Sequence, residues 1–295
     1  MASNSAIEAF EGFRPNLTGI AYRILGSRAD AEDAVQDTFL KWVEADHEEI
    51  TSPPSWLTTV CTRRCLDLLR SANRARVDYV GVWLPEPVQT DAVLDAEEKV
   101  ELASSLRTAF LLMLDRLSPK ERAAFLMREI FDMDYTAISQ TLEIDQQACR
   151  KLVSRSRQHV AMEKVRQVTS MDTQERLLNA FQDAIISGTT QNLVGMLSAD
   201  VRFFVDHGGK AASISRVLNG IHELTGFIAK GLHLFWDGAV WERAEINGAQ
   251  GFVLRDGNTL TAAVTFEYNA ADLLSAIYVI RNPEKLVQVE KTPVH

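Results

Sequence analysis

Residues 134–157 read DYTAISQTLEIDQQACRKLVSRSR and contain two short segments of helical periodicity on either side of a polar turn. Ile138 and Leu142 share one face before the turn at 143–146, and Leu152 continues that apolar pattern after it. The outward face of the second segment then carries Gln147, Arg150, Lys151 and Ser154. This division predicts a helix-turn-helix, whose second helix can enter the major groove of DNA.

The charge of the second segment differs from that of the whole chain. The 295 residues carry a net charge of −9, and an acidic excess by itself argues against phosphate contacts. From Gln146 to Met162, however, there are four Lys and Arg residues and no acid. Arg and Gln side chains in such a helix can bind base edges while the other cations bind phosphates. A solvated basic helix without a DNA partner would show the same charge pattern.

Composition indicates more than one folded module. Hydrophobic residues make up 46% and charged residues 24% of the chain, as in globular proteins. No stretch approaches the roughly 20 apolar residues that cross a bilayer, and the N-terminus lacks a signal-peptide pattern, so we expect a cytoplasmic protein without a membrane partner. Cys61, Cys65 and Cys149 lack CxxC spacing. They predict buried packing residues, with redox sensing by Cys61 and Cys65 as the alternative.

Helical and extended patterns divide the chain into four parts. Residues 1–80 and 104–168 have helical periodicity and predict two all-α modules, whereas 81–103 contain Gly and Pro without a period and predict an extended linker. Residues 172–295 begin with two predicted helices and continue as an α+β domain whose sheet curls over a pocket. Its strands are predicted at 201–205, 231–241, 244–247, 251–255, 259–268 and 274–281.

Three longer stretches resemble the extracytoplasmic-function group of bacterial sigma factors. Residues 117–129, LSPKERAAFLMRE, together with the helix-turn-helix resemble region 4, which reads the −35 promoter element. Residues 25–39, LGSRADAEDAVQDTF, resemble the part of region 2 that binds the clamp helices of the polymerase β′ subunit. Residues 56–70, WLTTVCTRRCLDLLR, resemble the part that opens and reads the −10 element. The resemblance implies a factor that confers promoter specificity on core RNA polymerase.

The resemblance also implies candidate contact residues on three surfaces. Polymerase-binding candidates are Asp30, Glu32, Asp33, Gln36 and Asp37. Candidates for the −10 element are Arg63, Arg64, Arg70, Asn73 and Arg74, and those for the −35 element are Gln147, Arg150, Lys151, Ser154 and Arg155. Carboxylates suit a partner helix rich in Arg, although a solvated acidic face is the alternative. The implied partners are core RNA polymerase, through its β′ clamp helices and β flap, and promoter DNA, with no cofactor, metal or catalytic residue.

Three short motifs resemble sigma factors that carry a fused SnoaL-like domain of the NTF2 fold. They are WLPEP at 83–87, DHGGK at 206–210 and NPEKL at 282–286. In such relatives the fused domain regulates the factor, so that no separate anti-sigma factor is required. The implied regulatory contacts join Trp83, Pro85 and Glu86 to Asp206, Lys210, Asn282, Pro283, Lys285 and Leu286. Alternatively, these motifs only shape turns.

Other functions remain open for the C-terminal domain and for the whole chain. SnoaL-like domains include cyclases and isomerases, in which an acid or a His transfers a proton inside a pocket. The candidates for that role are Asp206, His207, His222 and Asp237, with Trp236 and Trp241 as apolar walls. The same pocket could instead sense a ligand. A DNA-binding repressor is a third reading, but it leaves the acidic surface at 30–37 unexplained.

Overall fold

The computed structural model describes residues 4–77, 79–90, 105–161 and 169–290. The chain forms two compact units, of which the first contains Met1–Asp78 and Phe110–Lys164 and the second contains Tyr79–Ala109 and Val165–His295. The two predicted helical modules thus share one unit, and the predicted linker belongs to the unit of the C-terminal domain. Within the described ranges, no helix combines the length and apolar character that a bilayer-spanning segment needs.

Three helices form the N-terminal part of the first unit, as the helical periodicity predicts. They are α1 (Asn4–Leu25), α2 (Arg28–Glu44) and α3 (Pro53–Val77). α2 begins after Ser27, whose hydroxyl accepts the Asp30 N–H at 3.2 Å and so satisfies an amide of the first turn. The buried side chains between the helices include Phe10, Leu17, Ile24, Val35, Trp42, Leu57, Cys61 and Cys65.

The second helical part of this unit contains the helix-turn-helix. Its helices are α4 (Thr108–Leu114), α5 (Pro119–Glu129), α6 (Tyr135–Leu142) and α7 (Gln146–Ala161). Ser118 and Glu121 form a capping box that starts α5, and Asp134 caps α6. Glu143 adopts a left-handed conformation with φ 54°, which ends α6 and turns the chain into α7. The predicted helix-turn-helix is therefore confirmed.

The second unit is an α+β domain, as predicted. Its helices are α8 (Met171–Ser187), α9 (Gln191–Val194), α10 (Gly220–Phe227), α11 (His233–Phe235) and α12 (Pro283–Glu290), with a π-helical turn at Ile228–Leu232. Its strands are β1 (Leu197–Asp206), β2 (Leu218–Asn219), β3 (Val240–Ile246), β4 (Ala249–Asp256), β5 (Thr259–Tyr268) and β6 (Leu274–Ile280). The sheet order is β2-β1-β6-β5-β4-β3; the β1–β6 pair is parallel, and the other four pairs of these strands are antiparallel. Helices and sheet enclose an aromatic core that includes Phe181, Phe203, Phe252 and Phe266.

The prediction of a strand over 231–241 is wrong for most of that range. The chain remains helical up to Phe235, and β3 begins at Val240. Leu232 and Trp236 are buried while Leu234 and Phe235 are exposed, which is the spacing of a helix that covers the sheet. A short apolar run does not distinguish the two structures by periodicity alone.

Candidate functional site

Asp206, at the end of β1, is the centre of the contact between the C-terminal domain and the segment Tyr79–Ala109, which contains the predicted linker 81–103 and is hereafter the linker. Its side chain has no exposed surface. One carboxylate oxygen accepts the Tyr79 hydroxyl at 2.5 Å, and the other accepts the Leu84 N–H at 2.8 Å. Burial raises the pKa of Tyr79 above its usual range, and the hydrogen bond to this carboxylate raises it further. Asp206 thus binds the linker at two points five residues apart.

Lys285, on α12, supplies the positive charge that this buried carboxylate requires. Its ammonium group lies 2.6 Å from Oδ2 of Asp206 and donates to the Leu84 carbonyl at 2.5 Å. The ammonium also lies 4.3 Å from the centroid of the Trp83 ring, in a cation–π contact. Since the linker provides part of the coordination of a buried ion pair, release of the linker would leave polar groups of the domain without partners.

Two glycines allow the linker to approach this site closely. A Cβ at Gly81 would lie 2.8 Å from Nε2 of His207, and a Cβ at Gly208 would lie 2.5 Å from Nδ2 of Asn282. Both glycines have positive φ, 89° and 56°, which side chains disfavour. Asn282 Nδ2 donates to the Tyr79 hydroxyl at 2.9 Å. A Cβ at Gly208 would also lie 3.0 Å from the Tyr79 hydroxyl, so Gly208 serves packing against the linker as well as the turn.

The other residues of the predicted regulatory set differ in their surroundings. Pro85 and Leu286 are buried, and Glu86 is half-buried. Pro283 is exposed at the start of α12. Lys210 forms an ion pair with Glu284, and both side chains are largely exposed. The bonds around Asp206 therefore involve residues of all three motifs, whereas the ion pair of Lys210 joins two exposed residues of the domain itself.

A second contact extends the sheet with a piece of the linker. The Val88 N–H donates to the Asn247 side chain at 2.7 Å, and the Asn247 N–H donates back to the Val88 carbonyl at 2.7 Å. Gln89 pairs with Ile246 in an antiparallel bridge, and the Thr90 N–H donates to the carbonyl of Glu245 at 3.0 Å. Since β3 is the last strand of the sheet, 88–90 cover its free edge by strand addition.

A third contact lies at the other end of the linker. Arg107 and Glu267 form an ion pair at 3.3 Å, with only 20% and 16% of their side chains exposed. Burial raises the pKa of Glu267, and Arg107 opposes that shift. The Thr108 hydroxyl lies 3.5 Å from that of Thr265 on the same strand. Sequence reasoning missed this contact and the edge contact, since neither involves one of the recognised motifs.

The predicted −35 residues lie together on the outer side of α7. Gln147, Arg150, Lys151, Ser154 and Arg155 are all exposed. The inner side of the helix packs Cys149 and Val153 against α5 and α6. The Arg150 guanidinium lies 5.3 Å from the centroid of the Tyr135 ring, which restricts its side chain. This surface therefore presents several cations and hydrogen-bond donors from one rigid helix.

The predicted polymerase-binding residues lie on α2. Glu32, Asp33 and Gln36 are exposed, and Asp30 and Asp37 are half-buried. Leu40 follows on the same side of the helix, and its side chain is 52% exposed. An exposed apolar residue beside carboxylates suits a protein partner. Sequence reasoning missed Leu40, although its spacing of four residues from Gln36 contained the signal.

The predicted −10 residues have different partners in the first unit. The Arg63 guanidinium donates to the carbonyls of Gln140 and Thr141, at 2.8 and 2.9 Å, at the end of α6. Arg64 pairs with Asp37 at 2.6 Å. Arg70 is exposed and pairs with Asp67, three residues earlier. The side chains of Asn73 and Arg74 lie outside the described residues.

The helix-turn-helix part and the N-terminal helices are joined by further buried contacts. Arg122 on α5 donates to the carbonyls of Ile24 and Leu114, at 2.6 and 2.9 Å. Leu66 on α3 belongs to the buried cluster of the helix-turn-helix. The hydroxyl groups of Thr59 and Thr141 form a hydrogen bond of 3.0 Å. The predicted −10 and −35 surfaces are therefore held in one compact unit.

The residues considered for proton transfer do not form one site. His222 and Asp237 are exposed. Asp206 is occupied by Tyr79 and Lys285, and Nδ1 of His207 accepts the Gly209 N–H at 3.0 Å. Within the described residues, no three His, Cys, Asp or Glu side chains are grouped as metal ligands would be.

Comparison with known proteins gives matches in both units. Residues 9–75 match the family model of sigma-70 region 2, and residues 107–160 match that of sigma-70 region 4. The chain is 36% identical over 226 residues to the extracytoplasmic-function RNA polymerase sigma factor SigJ of Mycobacterium tuberculosis, covering 75% of this chain and 72% of SigJ. It is 30% identical over 200 residues to the probable sigma factor SigI of the same species, covering 67% and 69%. The crystal structure of SigJ matches with a TM-score of 0.71 and 28% identity, covering 96% of this chain and 98% of that one.

Proposed function

Because this chain belongs to the extracytoplasmic-function sigma factors of the sigma-70 family, we propose that it is a sigma factor restrained by its own C-terminal domain through capture of the linker. Membership makes it an alternative sigma factor that acts with core RNA polymerase in promoter-directed initiation, and not an enzyme. The capture of Tyr79 and Leu84 by the buried Asp206 is the observation that carries the regulatory part.

Promoter geometry requires the first unit to open. The −10 and −35 elements are numbered from the transcription start, so they lie about 25 base pairs apart. This separation is about 85 Å at 3.4 Å per base pair. A compact unit of the size of Met1–Asp78 with Phe110–Lys164 has a radius of gyration of about 14 Å. The contacts of Arg63 and Arg122 across this unit must therefore break before both surfaces reach DNA.

Linker capture opposes that opening. The linker, Tyr79–Ala109, has a contour length of about 100 Å when fully extended, which is enough to span the two elements. Three attachments to one domain, at Tyr79–Leu84, at 88–90 and at 107–108, prevent such extension. Because the domain is covalently linked to its target, its effective concentration is in the millimolar range and a separate anti-sigma factor is not needed.

The residue contacts follow from the exposed surfaces. The side of α2 that carries Glu32, Asp33, Gln36 and Leu40 would bind the β′ clamp helices, and the helix-turn-helix part would contact the β flap. On α7, Arg150 and Gln147 would contact base edges of the −35 element, while Lys151, Ser154 and Arg155 would contact phosphates. Action on RNA polymerase places the protein in the cytoplasm.

The −10 contacts depend on opening. Arg63 is bound to backbone carbonyls of α6, so it would become available to the unpaired strand only after the helix-turn-helix part has left α3. Arg64 and Arg70 would hold the DNA backbone near it, together with Asn73 and Arg74. Release of the linker and exposure of the −10 surface would thus be parts of one transition.

Run-off transcription with purified core polymerase tests this proposal. Four proteins are compared on a promoter mapped with genomic fragments: the full chain, a chain ending at Gln167, the full chain with Lys285→Met, and Lys210→Gln as a control outside the Asp206 bonds. We expect more specific transcript from the chain ending at Gln167 and from Lys285→Met than from the full chain. The amount from Lys210→Gln should equal that from the full chain. Equal transcript from all four would contradict restraint, and no transcript or core binding by any would contradict the sigma activity.

A further inference from the structure

A cleft in the C-terminal domain contains two polar groups without partners. It lies between the sheet and the helices α10 and α11 and is partly open to solvent. Its walls are mainly apolar and come from Phe203, Val205, Phe227, Leu232, Phe235 and Val279. Trp236 and Arg281 also line it, and neither Nε1 of Trp236 nor Nε of Arg281 has a hydrogen-bond partner. Buried donors are rarely left in this state unless a ligand or water binds them.

The guanidinium of Arg281 gives the cleft a positive charge. Its other arm donates to the Ala212 carbonyl at 2.5 Å, which fixes the group, and its Cζ lies 5.7 Å from the centroid of the Phe235 ring. Arg281 forms no ion pair among the described residues. Burial lowers the pKa of this guanidinium, as expected of a cation whose environment lacks a carboxylate.

We propose that this cleft binds a small organic monocarboxylate with an apolar tail. Indole and guanidinium groups only donate hydrogen bonds, so the ligand must provide acceptors. One carboxylate can accept from both groups and neutralise Arg281, and the aromatic and aliphatic walls suit a hydrocarbon tail. The cleft is far smaller than the roughly 300–1,000 Å³ of pockets for drug-sized ligands, so its ligand must be small.

The structure also indicates where such a ligand enters. Among the residues that line the cleft, Trp236 is only 5% exposed, whereas Phe235 is 45% exposed. Only about 10 Å³ of the cleft admits the centre of a water molecule, roughly the space for one water. The ligand must therefore displace the Phe235 side chain, which has solvent on one side. The proposal does not depend on regulation by linker capture.

Benzoate is a suitable probe, and benzamide is its neutral counterpart of the same shape. The ¹⁵N-labelled full chain is titrated with each compound at constant ionic strength, and the indole N–H signal of Trp236, assigned with Trp236→Phe, is followed. We expect a saturable shift with benzoate, a Kd in the millimolar range, and at least fivefold weaker binding of benzamide. Because this comparison uses the unaltered chain, it is independent of any folding defect.

Arg281→Gln removes the charge, and Arg202→Gln is the matched control. Arg202 is exposed, and strand alternation places it on the face of β1 opposite to Phe203. We expect Arg281→Gln to raise the Kd for benzoate about tenfold or more and Arg202→Gln to leave it unchanged. No saturable shift up to about 20 mM benzoate, equal binding of benzamide, or an unchanged Kd in folded Arg281→Gln would each overturn the proposal.

Discussion

Replacing Tyr79 with Phe removes one attachment of the linker and preserves the ring. The hydroxyl donates to Asp206 at 2.5 Å and accepts from Asn282 at 2.9 Å, so both lose a partner. A hydrogen bond to a charged group contributes about 1.5–3 kcal/mol. Since about 1.4 kcal/mol corresponds to a factor of ten, the equilibrium between bound and released linker should shift about 10- to 100-fold toward release.

Hydrogen exchange of the Leu84 amide measures this shift. That N–H donates to the buried carboxylate of Asp206, and it exchanges only when the linker leaves. We expect exchange at Leu84 to become about 10- to 100-fold faster in Tyr79→Phe, with the amides of the central strands β5 and β6 unchanged. Those strands report the global stability of the domain.

Lys210→Gln is the control for this experiment. It breaks the exposed ion pair with Glu284, which should change exchange at Leu84 less than about fivefold. Unchanged Leu84 exchange in Tyr79→Phe would refute the assignment of the Tyr79 hydroxyl to linker capture. Equal acceleration of Leu84 and of β5 and β6 would show a loss of domain stability instead.

Three further predictions concern the other contacts. Arg63→Gln should lower the unfolding free energy of the first unit by about 1–3 kcal/mol, seen in urea unfolding followed by Trp fluorescence; an unchanged midpoint would contradict the contact with α6. In the holoenzyme, Arg150→Ala should weaken −35 binding by about 1–3 kcal/mol and relax specificity at one base pair, whereas Lys151→Ala should mainly reduce the salt dependence in fluorescence anisotropy; identical salt slopes would refute the phosphate role. Because the pKa of Tyr79 is raised in the folded chain, its contribution to linker capture should be complete below the ordinary tyrosine pKa of about 10 and lost as pH rises through the folded value. Trp83 fluorescence should therefore change with alkaline pH more in the unaltered chain than in Tyr79→Phe, and equal curves would count against this.

The sequence predicts the elements that depend on local signals. Ser118 is followed three residues later by Glu121, which is the pattern of a capping box at a helix start, and the spacing of Ile138 and Leu142 defines the apolar side of α6. The exposed candidates on α7 follow from the same periodicity. Such features depend on neighbours within one or two turns, and the fold class could therefore be predicted.

The contacts that attach the linker could be predicted only in part. The three motifs indicate which segments meet, but the bonds run through the backbone N–H of Leu84 and the hydroxyl of Tyr79, and backbone donors have no signature in a sequence. Arg63 has a similar explanation. Its partners are carbonyls of α6, which lie 77 and 78 residues away along the chain. The hydrogen bonds of the Arg63 guanidinium therefore result from tertiary packing.

The strand addition at 88–90 has a consequence for the released state. When this segment leaves, β3 presents the unpaired N–H and C=O groups of a sheet edge, which is a template for another polypeptide. The segment with the best complementarity to that edge is the same stretch of a second molecule. Two released molecules can therefore exchange linkers reciprocally and close a two-fold symmetric, domain-swapped dimer. Because such an exchange covers both β3 edges again, the fraction of chains with a free edge falls as protein concentration rises.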